Sequence, residues 1–160
     1  MDDLLAGNAR YAERFHDGGL GAVPARHLAV VTCMDTRLDV FALLGLHLGD
    51  AHVIRNAGGR VTDDVLRSLI VSIEVLGTTA VAVIQHTDCG MAKATDDQLR
   101  ALVRERRGAD PEPVEFLTID DHSEAILGDV AALRESPFLP SDIEVRGFLY
   151  DVRTGRLTPI

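Results

Sequence analysis

The chain is poor in positive charge, poor in cysteine and free of long apolar runs. Against 25 Asp and Glu it carries 16 Lys and Arg, for a formal net charge of −9. A chain this acidic lacks the basic face that phosphate backbones require, so nucleic acid is not an expected partner. The one basic cluster, Arg100, Arg104, Arg106 and Arg107, is interleaved with Glu105 and reads as a solvated helix face. No apolar stretch approaches the roughly 20 residues of a membrane span, and no membrane partner is expected. The first residues do not combine a basic start with an apolar segment, which argues against a secretory leader and for a cytoplasmic location. Only two cysteines are present, and no Cys-x-x-Cys, so neither a disulfide framework nor a dithiol redox motif is indicated. In a reducing compartment two cysteines point to metal binding or catalysis.

What remains is a globular composition, 46% hydrophobic and 26% charged over 160 residues, expected to form a single domain, 1–160. Residues 3–16 look helical, with Leu4, Leu5, Tyr11 and Phe15 apolar, and Asp17-Gly18-Gly19 ends that arm. Residues 27–32 read as a buried strand, 38–46 as a short helix, 51–55 as a second strand. Asn56-Ala57-Gly58-Gly59 is a loop that permits positive φ or close backbone approach. Thr62 reads as an N-cap with Asp63 and Asp64 in the first turn. Val65, Leu66, Leu69, Ile70, Ile73 and Leu76 come next at helical spacing, and Gly77 closes that helix. Residues 79–84 form a third strand, 95–107 a polar helix, 108–113 a loop, 122–133 another helix. Two Pro-containing breaks precede a strand over 143–151, and Thr154-Gly155 is a turn. Continuous Val, Ile and Ala strands alternating with helices specify an α/β fold: a mainly parallel central β-sheet flanked by helices on both faces, with an N-terminal helical arm.

Ligands of such sheets bind beyond the strands' C-terminal ends. Both cysteines fall there. Cys33-Met34-Asp35-Thr36-Arg37 comes directly after the first strand, and His86-Thr87-Asp88-Cys89-Gly90 directly after the third. If the strands are neighbours, Cys33, His86 and Cys89 converge on one ion as a Cys₂His zinc site with an open fourth position. His86 and Cys89, three apart at a strand-to-helix turn, share one side, and a helix N-terminus would favour the Cys89 thiolate. Cys33, Asp35 and Arg37, spaced by two in an extended segment, share a face with about 6–7 Å between successive members. Arg37 can grip the Asp35 carboxylate with two hydrogen bonds. Two thiolates cancel the charge of a zinc dication, so water on such a metal is acidified less than in an all-histidine site and needs outside help. Asp35, kept ionised by Arg37, stands where that help is wanted. His47, His52 and His122 are proton-shuttle candidates by residue type.

These residues resemble the β-class carbonic anhydrases. Cys33-Met34-Asp35-Thr36-Arg37 is similar to that family's Cys-x-Asp-Ser-Arg signature, with Thr36 keeping a hydroxyl where serine is usual. Arg55-Asn56-Ala57-Gly58-Gly59 is similar to its Arg-Asn-Ala-Gly loop, His86 to Gly90 to its His-x-x-Cys-Gly segment, and Leu4-Leu5-Ala6-Gly7-Asn8 to the start of its helical arm. The resemblance implies reversible, zinc-dependent hydration of carbon dioxide to bicarbonate and a proton via zinc-bound hydroxide. It implies Cys33, His86 and Cys89 as ligands and Asp35 with Arg37 as the catalytic dyad. Asp35 becomes a fourth ligand in a closed state of some members. Asn56, Ala57, Gly58 and Gly59 are implied as the substrate pocket. The implied assembly is a homodimer or higher even-numbered homo-oligomer, with the arm, 1–17, packed on a partner subunit. His47 falls near the place where larger members carry a substrate-orienting glutamine, and with no tryptophan the tryptophan-based bicarbonate site of some relatives cannot be assembled unchanged. The same scaffold serves carbonyl sulfide and carbon disulfide hydrolases. A non-catalytic zinc or bicarbonate-binding protein is the other alternative.

Overall fold

The computed structural model describes residues 1–112 and 114–160; Pro113, the end of the expected 108–113 loop, lies outside them. Five strands form one sheet: β1 (Leu28–Cys33), β2 (Ala51–Asn56), β3 (Ala80–His86), β4 (Glu144–Tyr150) and β5 (Leu157–Pro159). Their order is β2-β1-β3-β4-β5. The first four are parallel and β5 alone runs antiparallel, against β4. The central strands are buried on both faces, as their uninterrupted apolar sequences require.

Helices α1 (Asp2–Ala12), α2 (Val40–Leu44), α3 (Asp63–Glu74), α4 (Asp96–Arg107) and α5 (His122–Arg134) complete the chain. Their starts obey local chemistry. The side chains of Asp39, Thr62, Thr95 and Asp121 cap α2, α3, α4 and α5, and Thr95 with Gln98 closes a full capping box. The main core joins α3 (Val65, Leu69, Ile73) and α5 (Ile126, Val130, Leu133) to Ala29, Val31, Val81, Val83 and Val145 of the sheet. On the other face α2 gives Val40 and Leu44 to a smaller cluster around Val30 and Ile84. An apolar groove of about 240 Å³, lined by Leu28, Leu44, Ala82 and Phe148 among others, stays open there.

Several boundaries differ from the sequence expectation. α1 stops at Ala12 rather than 16, because Arg14 and Phe15 bond three residues back, to Tyr11 and Ala12, in a tightened turn. His27 leaves β1 because its φ is +50°, with Nδ1 against the Gly77 carbonyl at 2.7 Å. α2 is trimmed to five residues by the Asp39 cap and a left-handed Gly45. β3 runs two residues beyond the expected end, since β4 continues beside it and pairs Leu149 with Gln85 and Tyr150 with His86. β5 was not expected: three residues ending in proline are too short to show a strand period.

Candidate active site

Cys33 is the last residue of β1, His86 the last of β3, and Asn56 the last of β2. Because β1 lies between the other two, the three chain segments beyond these strands leave from one edge of the sheet. The Cys33, His86 and Cys89 side chains meet there. All three are buried, and their donor atoms lie within 4.8 Å of one another. The two sulfurs are 3.9 Å apart, far beyond the ~2.05 Å of a disulfide. Two thiolates about 2.3 Å from a tetrahedral zinc stand roughly 3.8 Å apart, so the observed separation fits that ion.

His86 supplies a second test of fit. Its Nδ1 donates to the Thr87 carbonyl at 2.9 Å, which leaves Nε2 as a lone pair. Nε2 is the one buried side-chain nitrogen or oxygen without a hydrogen-bond partner among the described residues. An orphaned acceptor beside two sulfurs is costly unless it serves a ligand. The sulfurs also share charge. Cys89 holds Cys33 well below the usual thiol range, aided by His86 and by the backbone at Asp35 and Gly58, while burial opposes. Cys33 and burial push Cys89 up in turn. Burial works to lower His86, but the Cys33 sulfur, the Thr87 carbonyl and Asp35 outweigh it and raise it.

The charge stabilisation expected from a helix N-terminus at Cys89 is absent. The chain beyond Cys89 forms only a three-residue 3₁₀ turn, Gly90–Ala92, too short to carry a helix dipole. The extended geometry expected over 33–37 is absent too. β1 ends at Cys33, and a turn closed by Leu38 N–H donating to the Asp35 carbonyl at 3.1 Å bends the chain. The turn still delivers the pair. Arg37 donates Nε to Asp35 Oδ1 at 2.9 Å and Nη2 to Oδ2 at 2.8 Å, and its backbone N–H reaches Oδ1 at 2.9 Å. These bonds hold the Asp35 carboxyl well below the usual carboxylate range. Asp35 Oδ2 stands 3.7 Å from His86 Nε2.

Two further residues hold this arrangement and were not assigned roles from the sequence. Arg55 spreads its guanidinium over three carbonyls, those of Cys33 (2.9 Å), Asp35 (2.6 Å) and Leu38 (3.2 Å). Its place at the head of the Arg-Asn-Ala-Gly segment was the signal available. Asp88 receives Arg37 Nη1 at 2.8 Å on its carboxylate and Nη2 at 3.0 Å on its carbonyl. Nothing in its sequence position announced that contact. Of the loop 56–59, the Asn56 side chain turns back onto Arg60, donating to its carbonyl (2.7 Å) and accepting from its N–H (2.9 Å). Gly58 and Gly59 are buried. Leu38 and Ile119 pack around the cysteines, with Met91 and Ala125 against them. Of the histidines offered as proton shuttles, His47 is exposed, His52 is bound to Ser72 Oγ (2.7 Å) and the Ala22 carbonyl (3.1 Å), and His122, at the start of α5, has Nδ1 3.1 Å from Gln85 Oε1.

The carbonic anhydrase family model matches residues 28–157. Beta-carbonic anhydrase 1 of Mycobacterium tuberculosis is 42% identical over 161 residues, covering 99% of this chain and 96% of the relative. The crystal structure of carbonic anhydrase from Streptococcus mutans superposes with a TM-score of 0.96 at 42% identity, covering 99% of this chain and 96% of that one. Carbon disulfide hydrolase of an Acidianus strain is 36% identical over 82% of this chain and 76% of its own length.

Proposed function

The chain belongs to the β-carbonic anhydrase family, and on that premise we propose that it interconverts carbon dioxide and bicarbonate at a zinc ion held by Cys33, His86 and Cys89. The carrying observation is the convergence of two sulfurs and an unpartnered imidazole nitrogen within 4.8 Å at the sheet's C-terminal edge. When bound there, zinc supplies Lewis acidity that makes water a nucleophile near neutral pH.

The chain's own groups do the rest. Asp35, ionised by Arg37, has acceptor capacity only, so it takes the hydrogen of the attacking O–H and aims the oxygen lone pair at carbon. Arg55 fixes the backbone from which Cys33 and Asp35 project. Leu38, Ile119 and Met91 give a small apolar substrate a dry wall. The loop 56–59 is the proposed substrate-facing segment, and Gly59 packs against the backbone of β1 and β3. Asp35 would serve as a fourth ligand in a closed state, a reading supported by its 3.7 Å separation from His86 Nε2. Crystals grown at acid and alkaline pH test that state: Asp35 on Arg37 in both would remove it.

Replacing Cys33 with Ser should strip the zinc and abolish hydration, measured by metal analysis and stopped-flow. Full zinc and full activity in that variant would sink the ligand assignment. The likeness to carbon disulfide hydrolases makes carbon disulfide and carbonyl sulfide the alternative substrates, and parallel turnover assays separate them. The intact Asp35–Arg37 pair speaks against a protein that binds without turning over.

We assign a homodimer, or a higher even-numbered assembly, with arm 1–17 laid on the partner. No residue of α1 is buried, and Leu4, Leu5 and Tyr11 are 66%, 73% and 57% exposed. The cytoplasm suits two buried thiols that form no disulfide. No described helix is long and apolar enough to cross a membrane.

A further inference from the structure

Both paired edges of the Arg37 guanidinium are occupied, and only one of them faces the carboxylate that the chemistry uses. The side edge, Nε and Nη2, donates to Asp35. The end edge, Nη1 and Nη2, donates to Asp88, at 2.8 Å to its Oδ2 and 3.0 Å to its carbonyl. Asp88 Oδ1 accepts from Lys93 Nζ at 2.7 Å. Asp88 makes these contacts from a left-handed backbone, φ +54°, which glycine adopts freely and other residues adopt at a cost.

The loop that carries His86 and Cys89 is fastened by other bonds. Thr87 N–H donates to the Tyr150 carbonyl at 2.9 Å, Thr87 Oγ1 accepts from the Val152 N–H at 3.2 Å, and the Cys89 carbonyl accepts from the Ala92 N–H at 3.1 Å. The backbone around Arg37 is fixed as well, by the Leu38–Asp35 turn and by Arg55 on the Asp35 carbonyl. The part left with freedom is the Arg37 side chain itself, long and 43% exposed, against an Asp88 side chain 53% exposed. Exposed ion pairs add little to stability. A left-handed aspartate whose bonds do little for stability, placed beside a catalytic pair, marks a functional position.

We propose that Asp88 is a positioning residue for hydration: it fixes the end edge of the Arg37 guanidinium so that the side edge presents the Asp35 carboxylate in one orientation, and Lys93 fixes Asp88 in turn. The inference rests on the carbon dioxide reading. An arginine held at Asp35 alone can swing about its side-chain torsions and take the carboxylate with it. Held at both edges, it cannot rotate about Cζ–Nε without breaking its bonds to Asp88. Asp35 then accepts the hydrogen of the attacking O–H from one direction, as alignment of the reacting oxygen requires. Asp88 acts through Arg37 alone.

Asp88→Gly removes the carboxylate, keeps the carbonyl and suits the left-handed backbone. With rates taken per bound zinc in stopped-flow hydration, it should lower kcat and kcat/KM together, by about tenfold. Asp88→Asn, which tolerates the same backbone but carries no charge, should fall between Asp88→Gly and wild type. In an Arg37→Ala background Asp88→Gly should change turnover little, because the residue it acts through is gone. Nitrogen-15 spectra of the zinc-loaded protein should resolve the two Arg37 Nη signals in wild type and merge them in Asp88→Gly, as rotation about Cζ–Nε quickens. Undiminished turnover by Asp88→Gly, the same fold-loss with and without Arg37, or Arg37 signals unmoved by the substitution overturns the inference and leaves the hydration reading standing. No hydration by the wild-type protein overturns both.

Discussion

Arg37 serves two carboxylates at once, and the second one is where the residue scale has most to say. Asp88 takes one guanidinium nitrogen on its side chain and another on its carbonyl, and Lys93 Nζ holds its remaining oxygen at 2.7 Å. Lys93 first, and Arg37 next, lower Asp88 to about 2. A depressed carboxylate contributes its pairing above the ordinary value near 4 and loses it as pH falls toward 2. Lys93→Ala should therefore raise the Asp88 transition toward the ordinary value, read from carbon-13 carboxyl shifts across acid pH. An unmoved transition would mean that Lys93 does not make this contact. The individual residues of the site were largely legible: Cys33, Asp35, Arg37, His86 and Cys89 stood in two short segments whose chemistry is specific. Asp88 and the reach of Arg55 were not, because both act on backbone and side chains brought near only by the sheet.

At the scale of elements, the site depends on how closely the 57–59 turn approaches β1 and β3. Gly59 has φ +66°, and a Cβ there would come within 2.9 Å of the Cys33 nitrogen and the Thr32 carbonyl carbon and 3.0 Å of the Ile84 oxygen. These neighbours are backbone of the two central strands and cannot move aside. Gly59→Ala combines a left-handed backbone with overpacking, and should cost about 2–4 kcal/mol in urea unfolding and weaken zinc affinity as well. A change under about 0.5 kcal/mol, the scatter of ordinary surface substitutions, would show that the turn can lift away. Elements were legible wherever a period or a cap marked them, as in α3 with Thr62 and its apolar spacing. They were less so where tertiary pairing decides the end, as for the last two residues of β3, or where an element is too short for any period, as in β5.

For the whole molecule, the unburied arm and the open sheet groove set the expectation for association. Burying three side chains such as Leu4, Leu5 and Tyr11 is worth about 5 kcal/mol by transfer data, enough to matter to a dimer. Sedimentation should give a mass of at least twice the 17.3 kDa chain, and removal of residues 1–17 should shift the distribution toward monomer. A monomeric full-length chain would remove the arm from any interface. Parallel topology has one more consequence. Cys33 and Cys89 lie 56 residues apart, and the strands that carry Cys33 and His86, neighbours in the sheet, are separated along the chain by β2 and α3. Contacts of that separation form slowly. The donor set thus has no precursor in the unfolded chain, and the rate at which freshly diluted protein captures zinc should report the assembly of the sheet's centre, a built-in clock for folding.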